Sequence, residues 1–293
     1  MAPPQPLLAV DGPSLLYRAF YALPDSIKGK DGKPVNALLG TANLVLREVE
    51  EHRPRAVVLC FGAEAAEYRV ETYEGYHAER PEVPGDLAPQ WDDAEGFFTA
   101  FGWTVAHTPT LEADDLLGTY ARLETEAGGR ALLLTGDRDM YQCASDSVTV
   151  LYTKTGSGGK GPDIVGPDEV RERYGIPPEL VPDFIALRGD PSDGLPGAKG
   201  VGEKTAADLL REHGSLEALL DNAIKITKPK LRTTLIEQRD ELLAFKDIAT
   251  LRDVEVERPP DRETDWAGAA AAARERGMNR LAERLEKLGG IGD

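Results

Sequence analysis

The stretch ALLLTGDRDM, residues 131–140, begins with four residues apolar enough for a buried strand, turns at Thr135-Gly136, and then presents Asp137 and Asp139 one residue apart. Four other short runs read the same way: LLAV (7–10), AVVLCF (56–61), WTVAH (103–107) and VTVLY (148–152). Helical periodicity fills most of the gaps, at 36–52, 84–101 and 111–127. Strand alternating with helix predicts an α/β fold, a mainly parallel sheet with helices on both faces. From about residue 165 the pattern changes to helices at 167–174, 179–187, 203–213 and 215–221, which predicts a helical module after the sheet. SIKGKDGKPV (26–35) and TGSGGKGPD (155–163) read as irregular, and the Ala-biased 267–288 ends as an amphipathic helix.

A chain of 293 residues with 41% hydrophobic content can bury a sizeable core. Its apolar runs are far too short for a membrane span, and MAPPQPLLAV lacks the basic start of an export signal, so a cytoplasmic protein is expected. Cys60 and Cys143 show no metal-ligand spacing and suit small buried residues of a reducing compartment. The balance of 34 basic against 51 acidic residues, formally −17, opposes binding to a polyanion. A nucleic-acid role therefore requires local basic clusters, or metal ions that neutralise concentrated carboxylates.

In open α/β sheets, ligands bind beyond the C-terminal strand ends. Asp11 follows LLAV, and Asp137 and Asp139 follow ALLL. LEADDLL adds Glu112, Asp114 and Asp115 where a helix begins. Acids there also suit the helix dipole, and a lone Asp after a strand is often a turn residue. Six carboxylates in one crevice, however, would protonate or splay apart without hard cations such as Mg²⁺ or Mn²⁺. GDPSDGLPG (189–197) supplies a further pair, Asp190 and Asp193, for which an Asx-turn role is the competing reading. In KGVGEKTAADLL (199–210), a Gly-Val-Gly turn enters a helix whose first turn carries Lys204. Placed between two helices, it reads as a helix-hairpin-helix that presents backbone N–H groups to phosphate.

Five ordered segments, LLAVDGPSLLYRAFYALP, YHAERPEVPGDLAPQ, LEADDLLGTYA, LLTGDRDMYQ and ALRGDPSDGLPGAKGVGEKTAADLL, resemble the bacterial 5′-to-3′ exonuclease and flap endonuclease family, which includes the nuclease domain of bacterial DNA polymerase I. The match spans roughly residues 7–250, and with no polymerase region following, a stand-alone member is expected. The resemblance implies a PIN-like core at 1–165, a helical arch at about 62–90, and a helical DNA-binding module at 166–293 with its helix-hairpin-helix at about 183–213. It implies metal-dependent 5′ exonuclease and flap endonuclease activity in replication or repair, through two or more Mg²⁺ or Mn²⁺ ions about 4 Å apart. The expected substrate is branched or nicked duplex DNA with a 5′ end or flap, bound by a monomer near the nucleoid.

Carried over residue by residue, Asp11, Glu112, Asp114, Asp115, Asp137, Asp139, Asp190 and Asp193 fall on metal-site carboxylates. Arg80 and His77 fall at the scissile phosphate. Arg18, Arg69, Tyr76, Lys199, Gly200, Gly202 and Lys204 fall on DNA contacts, and the hairpin implies a K⁺ site. Two positions depart from the family pattern. CFGAEAAEYR (60–69) has Gly62 where an acid usually stands, with Glu64 nearby, and His77 replaces an arch lysine. If the charged imidazole is needed, cleavage falls as pH rises through about 6 to 7. The competing readings are a catalytically weak junction-binding protein and a PIN-like ribonuclease. The retained carboxylates oppose the first, and the GVGEKTA hairpin opposes the second.

Overall fold

The computed structural model describes residues 5–154 and 161–291. Its six-stranded sheet runs β3-β2-β1-β4-β5-β6, formed by β1 (Leu7–Asp11), β2 (Ala56–Phe61), β3 (Thr104–His107), β4 (Ala131–Thr135), β5 (Val148–Tyr152) and β6 (Asp163–Val165). The first five strands are parallel, and β6 returns antiparallel to β5. Every residue of β1, β2 and β4 is buried, as expected for strands covered on both faces. Alternation divides β1 between two cores: Leu7 and Ala9 face one side, Leu8 and Val10 the other.

One core lies under α1 (Gly12–Ala22), α2 (Asn36–His52) and α4 (Ala88–Thr99). The other lies under α5 (Ala113–Glu126) and continues without a break into α6 (Pro167–Tyr174), α7 (Val181–Arg188), α8 (Glu203–His213), α9 (Leu216–Asp221), α10 (Pro229–Glu237) and α11 (Arg239–Ala249). The helical module therefore shares the sheet's core. The C-terminal helices α12 (Trp266–Glu275) and α13 (Asn279–Leu288) leave that module and pack with α2 and α4 on the opposite face.

The predicted strands and most helices stand at or near their predicted places. The differences have physical causes. Residues 12–22, not predicted as a helix, form α1 because Asp11 caps it and Pro13 suits its first turn. The 267–288 segment is broken at Gly277, whose φ of +81° ends α12. The predicted irregular stretch at 155–163 ends in β6, and residues 155–160 lie outside the described residues. Residues 62–87 hold one short helix, α3 (Glu67–Thr72), followed by turns and extended chain, and α4 begins at Ala88.

Chain order carries β2 and β3 to one side of β1, and β4 and β5 to the other. The switch point therefore falls between β1 and β4, where the crevice of an open sheet forms. Asp11 ends β1, and Asp137 and Asp139 follow β4.

Candidate functional site

Thr135, the last residue of β4, organises this crevice. Its hydroxyl donates to Asp11 Oδ2 at 2.7 Å and accepts from the Asp137 N–H at 2.9 Å. The other Asp11 oxygen accepts from Ser14 N at 3.0 Å and caps α1. Asp137 Oδ1 accepts from the Asp139 N–H at 2.8 Å, so the two acids share a tight turn. Arg18 donates to Gly136 O at 2.7 Å and stands beside Asp11. Sequence reading took Thr135 only for the turn that ends the strand and missed this role.

Four carboxyls here titrate above the ordinary Asp range. For Asp114, burial is the main cause, followed by the charges of Asp11, Asp137 and Glu112. For Asp139 it is burial, then Asp137, Asp193 and Asp190. Burial also raises Asp11, against the opposing hydrogen bonds from Thr135 and Ser14. Asp137 is pushed to about 7 by burial and then by Asp193. Crowded, desolvated carboxylates without enough cations produce this pattern.

A stability consequence follows. For Asp137, between the ordinary 3.8 and about 7, the native state holds more protons than the unfolded chain, so its contribution to stability is lost as pH rises through that window. In EDTA the thermal midpoint is expected to fall from about pH 5 to about pH 8, and Asp137→Asn to flatten the fall. Melting curves at stepped pH check this, and a midpoint that rises across the window would contradict it.

Glu112 and Asp115 are different, because Arg69 neutralises them. The buried guanidinium lies 3.0 Å from each carboxylate and also donates to Ile248 O. Glu112 accepts further from Ala66 N and the Tyr76 hydroxyl. Asp115 accepts from Glu112 N, which completes a capping box, and from Arg252 N. Three expected site residues are engaged inside the protein. Arg69 and Tyr76, expected to contact DNA, are 3% and 5% exposed and bonded to internal partners, although Tyr76 also lines the crevice. Asp115, expected as a metal ligand, is fully buried and stands outside the crevice.

The other seven acids line two adjoining cavities of about 460 Å³ each. Asp11, Glu112, Asp114 and Asp193 line one, Asp139 and Asp190 the other, and Asp137 both. Among the described residues, no three of these side chains close round one point as a finished ion site. They are nevertheless oxygen donors alone, the set that hard divalent cations take.

The 73–80 segment roofs the first cavity. His77 has φ +52° and stacks on Tyr76 at 4.1 Å. Its Nε2 lies 3.1 Å from Asp193 Oδ1, and its backbone N–H donates to Asp193 O. Arg80 donates to Glu64 O at 2.9 Å and stands near enough to Asp11 to oppose the rise in its pKa. Asp190 pairs with Arg188 at 3.0 Å and accepts from Ser192, so the 189–197 loop holds this acid by local bonds as well as presenting it.

Gly62 is accounted for by space. A Cβ there would meet the backbone of Leu111, Glu112 and Ala113 at 2.5–2.6 Å, because β2 ends against the start of α5. An acid at this position cannot join the crevice without moving the helix that carries Asp114. Gly62→Ala is expected to destabilise by about 1–3 kcal/mol through overpacking, measurable by denaturant titration, and an unchanged midpoint would refute the close approach. Glu64, the nearby acid, is exposed at the mouth.

Beyond the crevice, α7 and α8 frame the hairpin. Gly200 (φ +80°) and Gly202, the N-cap of α8, have open space around them, and Lys199 and Lys204 are exposed beside them. Lys199 N is tied to Gln238 Oε1 at 2.9 Å, which anchors the hairpin to the region joining α10 and α11.

Two family models match the chain: the N-terminal resolvase-like domain of 5′-3′ exonucleases over residues 6–175, and their C-terminal SAM fold over 176–268. A 5′-3′ exonuclease of Mycobacterium tuberculosis is 38% identical over 283 residues, covering 88% of each chain. DNA polymerase I of Mycobacterium bovis is 39% identical over 257 residues, and that of Thermus filiformis 38% over 295. This chain covers 28% and 34% of those polymerases, against 87% and 98% of its own length. Among solved structures, T5 5′-exonuclease with zinc ions superposes with a TM-score of 0.70 at 16% identity, covering 96% of this chain and 97% of that one. The catalytic core of Rad2 with DNA gives 0.64 at 16% identity, covering 96% and 91%. These two likenesses establish the fold.

Proposed function

The chain belongs to the 5′-3′ exonuclease family; on that premise we propose that it is a nuclease that hydrolyses DNA phosphodiesters at 5′ ends and 5′ flaps in the crevice between β1 and β4. The observation that carries this reading is the set of crowded carboxyls, Asp11, Asp114, Asp137 and Asp139, with raised pKa values at a switch point.

Asp11, Asp114 and Asp137, with Asp193 opposite, would hold one Mg²⁺ or Mn²⁺, and Asp137, Asp139 and Asp190 a second. Glu112 steadies the first turn of α5. Bound divalent ions supply a Lewis acid for the phosphoryl oxygens and a more acidic water. Arg80 and His77 approach from the roof, and Arg18 from α1, to orient the phosphate by charge. The exposed N–H groups at Gly200 and Gly202, with Lys199 and Lys204, suit the backbone of the duplex arm, and the hairpin is the place for a K⁺ ion.

The substrate in this reading is branched or nicked duplex DNA, met by a monomer in the cytoplasm during replication or repair. No helix among the described residues is long and apolar enough to cross a membrane. The T5 structure with zinc supports metal dependence, and the Rad2 complex supports DNA as the ligand. The test is cleavage of a 5′-labelled flap duplex in Mg²⁺ or Mn²⁺ against EDTA. Short labelled products in metal alone are expected. Binding without cleavage in both metals would overturn the reading in favour of a junction-binding protein.

A further inference from the structure

The cavity that holds Asp139 and Asp190 has a second wall that metal binding does not use. Tyr152, Tyr174 and Phe184 form it, and Arg138 stands at its edge. The Arg138 guanidinium lies 5.4 Å over the Tyr152 ring and faces tyrosines, not the aspartates on either side of it in sequence. Arg188, on the same wall, is already paired with Asp190 at 3.0 Å. Arg138 is exposed, and no ion pair found among the described residues engages it. A guanidinium fixed on an aromatic face is pre-organised for a phosphate, and a neighbouring aromatic surface tolerates any base.

Gly136, Asp137 and Ser192 line both cavities, so the two adjoin at the carboxylate wall. Arg80 stands on one side of that wall and Arg138 on the other; Arg18 lies between them, donating to Gly136 O at 2.7 Å with its guanidinium 6.0 Å over the Tyr152 ring.

We propose that Arg138, held on Tyr152, binds a backbone phosphate of the DNA strand on the far side of the carboxylate wall from Arg80. The strand then crosses Asp137 with a cation on each flank, and the second cavity receives the adjoining nucleotide. This inference rests on the nuclease reading of the crevice.

The experiment measures kcat and KM for a 5′-labelled flap duplex in Mg²⁺ across a KCl series. Cleavage by the unaltered protein tests the nuclease reading; the Arg138 variants test the inference. Arg138→Gln is expected to lower kcat/KM by about tenfold or more, chiefly through KM. The slope of log kcat/KM against log salt should flatten by roughly 0.7–0.9, the share of one phosphate contact. Arg138→Lys should restore the slope. Arg122→Gln, which removes a surface charge paired with Glu126 and Asp253, should leave it unchanged. A slope in Arg138→Gln equal to that of the unaltered protein, or the same flattening in Arg122→Gln, would overturn the inference.

Discussion

Replacing Asp137 and Asp139 together with Ala is expected to lower metal-dependent flap cleavage on the order of a thousandfold or more, because each ion contributes several kcal/mol to the transition state. The same variant is expected to melt no lower than the unaltered protein in EDTA at about pH 8, because the change removes two crowded, desolvated charges. Burial, and repulsion from each other and from Asp190 and Asp193, already hold Asp137 and Asp139 above their ordinary range. Side chains kept for the fold would lower activity and stability together when lost. Residues kept for metal chemistry lower activity alone. Rate measurement beside thermal melting separates the two, and a variant that still cleaves at full rate would remove the crevice from the mechanism.

Arg69→Met is expected to act in the opposite way. Arg69 is the buried cation between Glu112 and Asp115, 3.0 Å from each. Removing it leaves two acids in the interior without their cation, a loss of about 3–5 kcal/mol. For a chain of this size, that lowers the melting temperature on the order of 10 °C. The effect reaches function indirectly, because Glu112 and Asp115 cap the helix that presents Asp114. Arg69→Lys keeps a charge but not the fork that reaches both carboxylates, so its loss should fall between the two. Calorimetry decides, and an Arg69→Met midpoint within about a degree of the unaltered protein would show that the clamp carries no net stability.

Much of this was legible in the sequence because strand ends in an open sheet are marked by an abrupt change in chemistry. The runs LLAV and ALLL are wholly apolar, and a charge follows the first directly as Asp11 and the second after a Thr-Gly turn as Asp137, so the ligand edge of the sheet could be read from periodicity. What could not be read was which charges the fold would enclose. Arg69 lies in a short helix beside Glu67 and Glu71 and looks like a solvated arch residue, yet its partners lie 43 and 46 positions away or, for Ile248 O, 179. Asp114 and Asp115 are adjacent in sequence, but the helix turns one into the crevice and the other into Arg69. Gly62 looked like a lost acid, and the reason is local: the backbone of α5 fills the space a side chain would need. Helix α1 is not among the helices read from periodicity, although Asp11 as its cap and Pro13 in its first turn mark a helix start.

The measurement that bears most directly on the account is calorimetric titration of Mn²⁺ into the protein near neutral pH, repeated in buffers of different ionisation enthalpy. Two ions per chain are predicted, with protons released as the raised carboxyls of the crevice are displaced into their charged form, and no saturable binding in the Asp137→Ala, Asp139→Ala double variant. The absence of saturable binding in the unaltered protein, or the same binding in that variant, would contradict the assignment of the crevice as a divalent-metal centre.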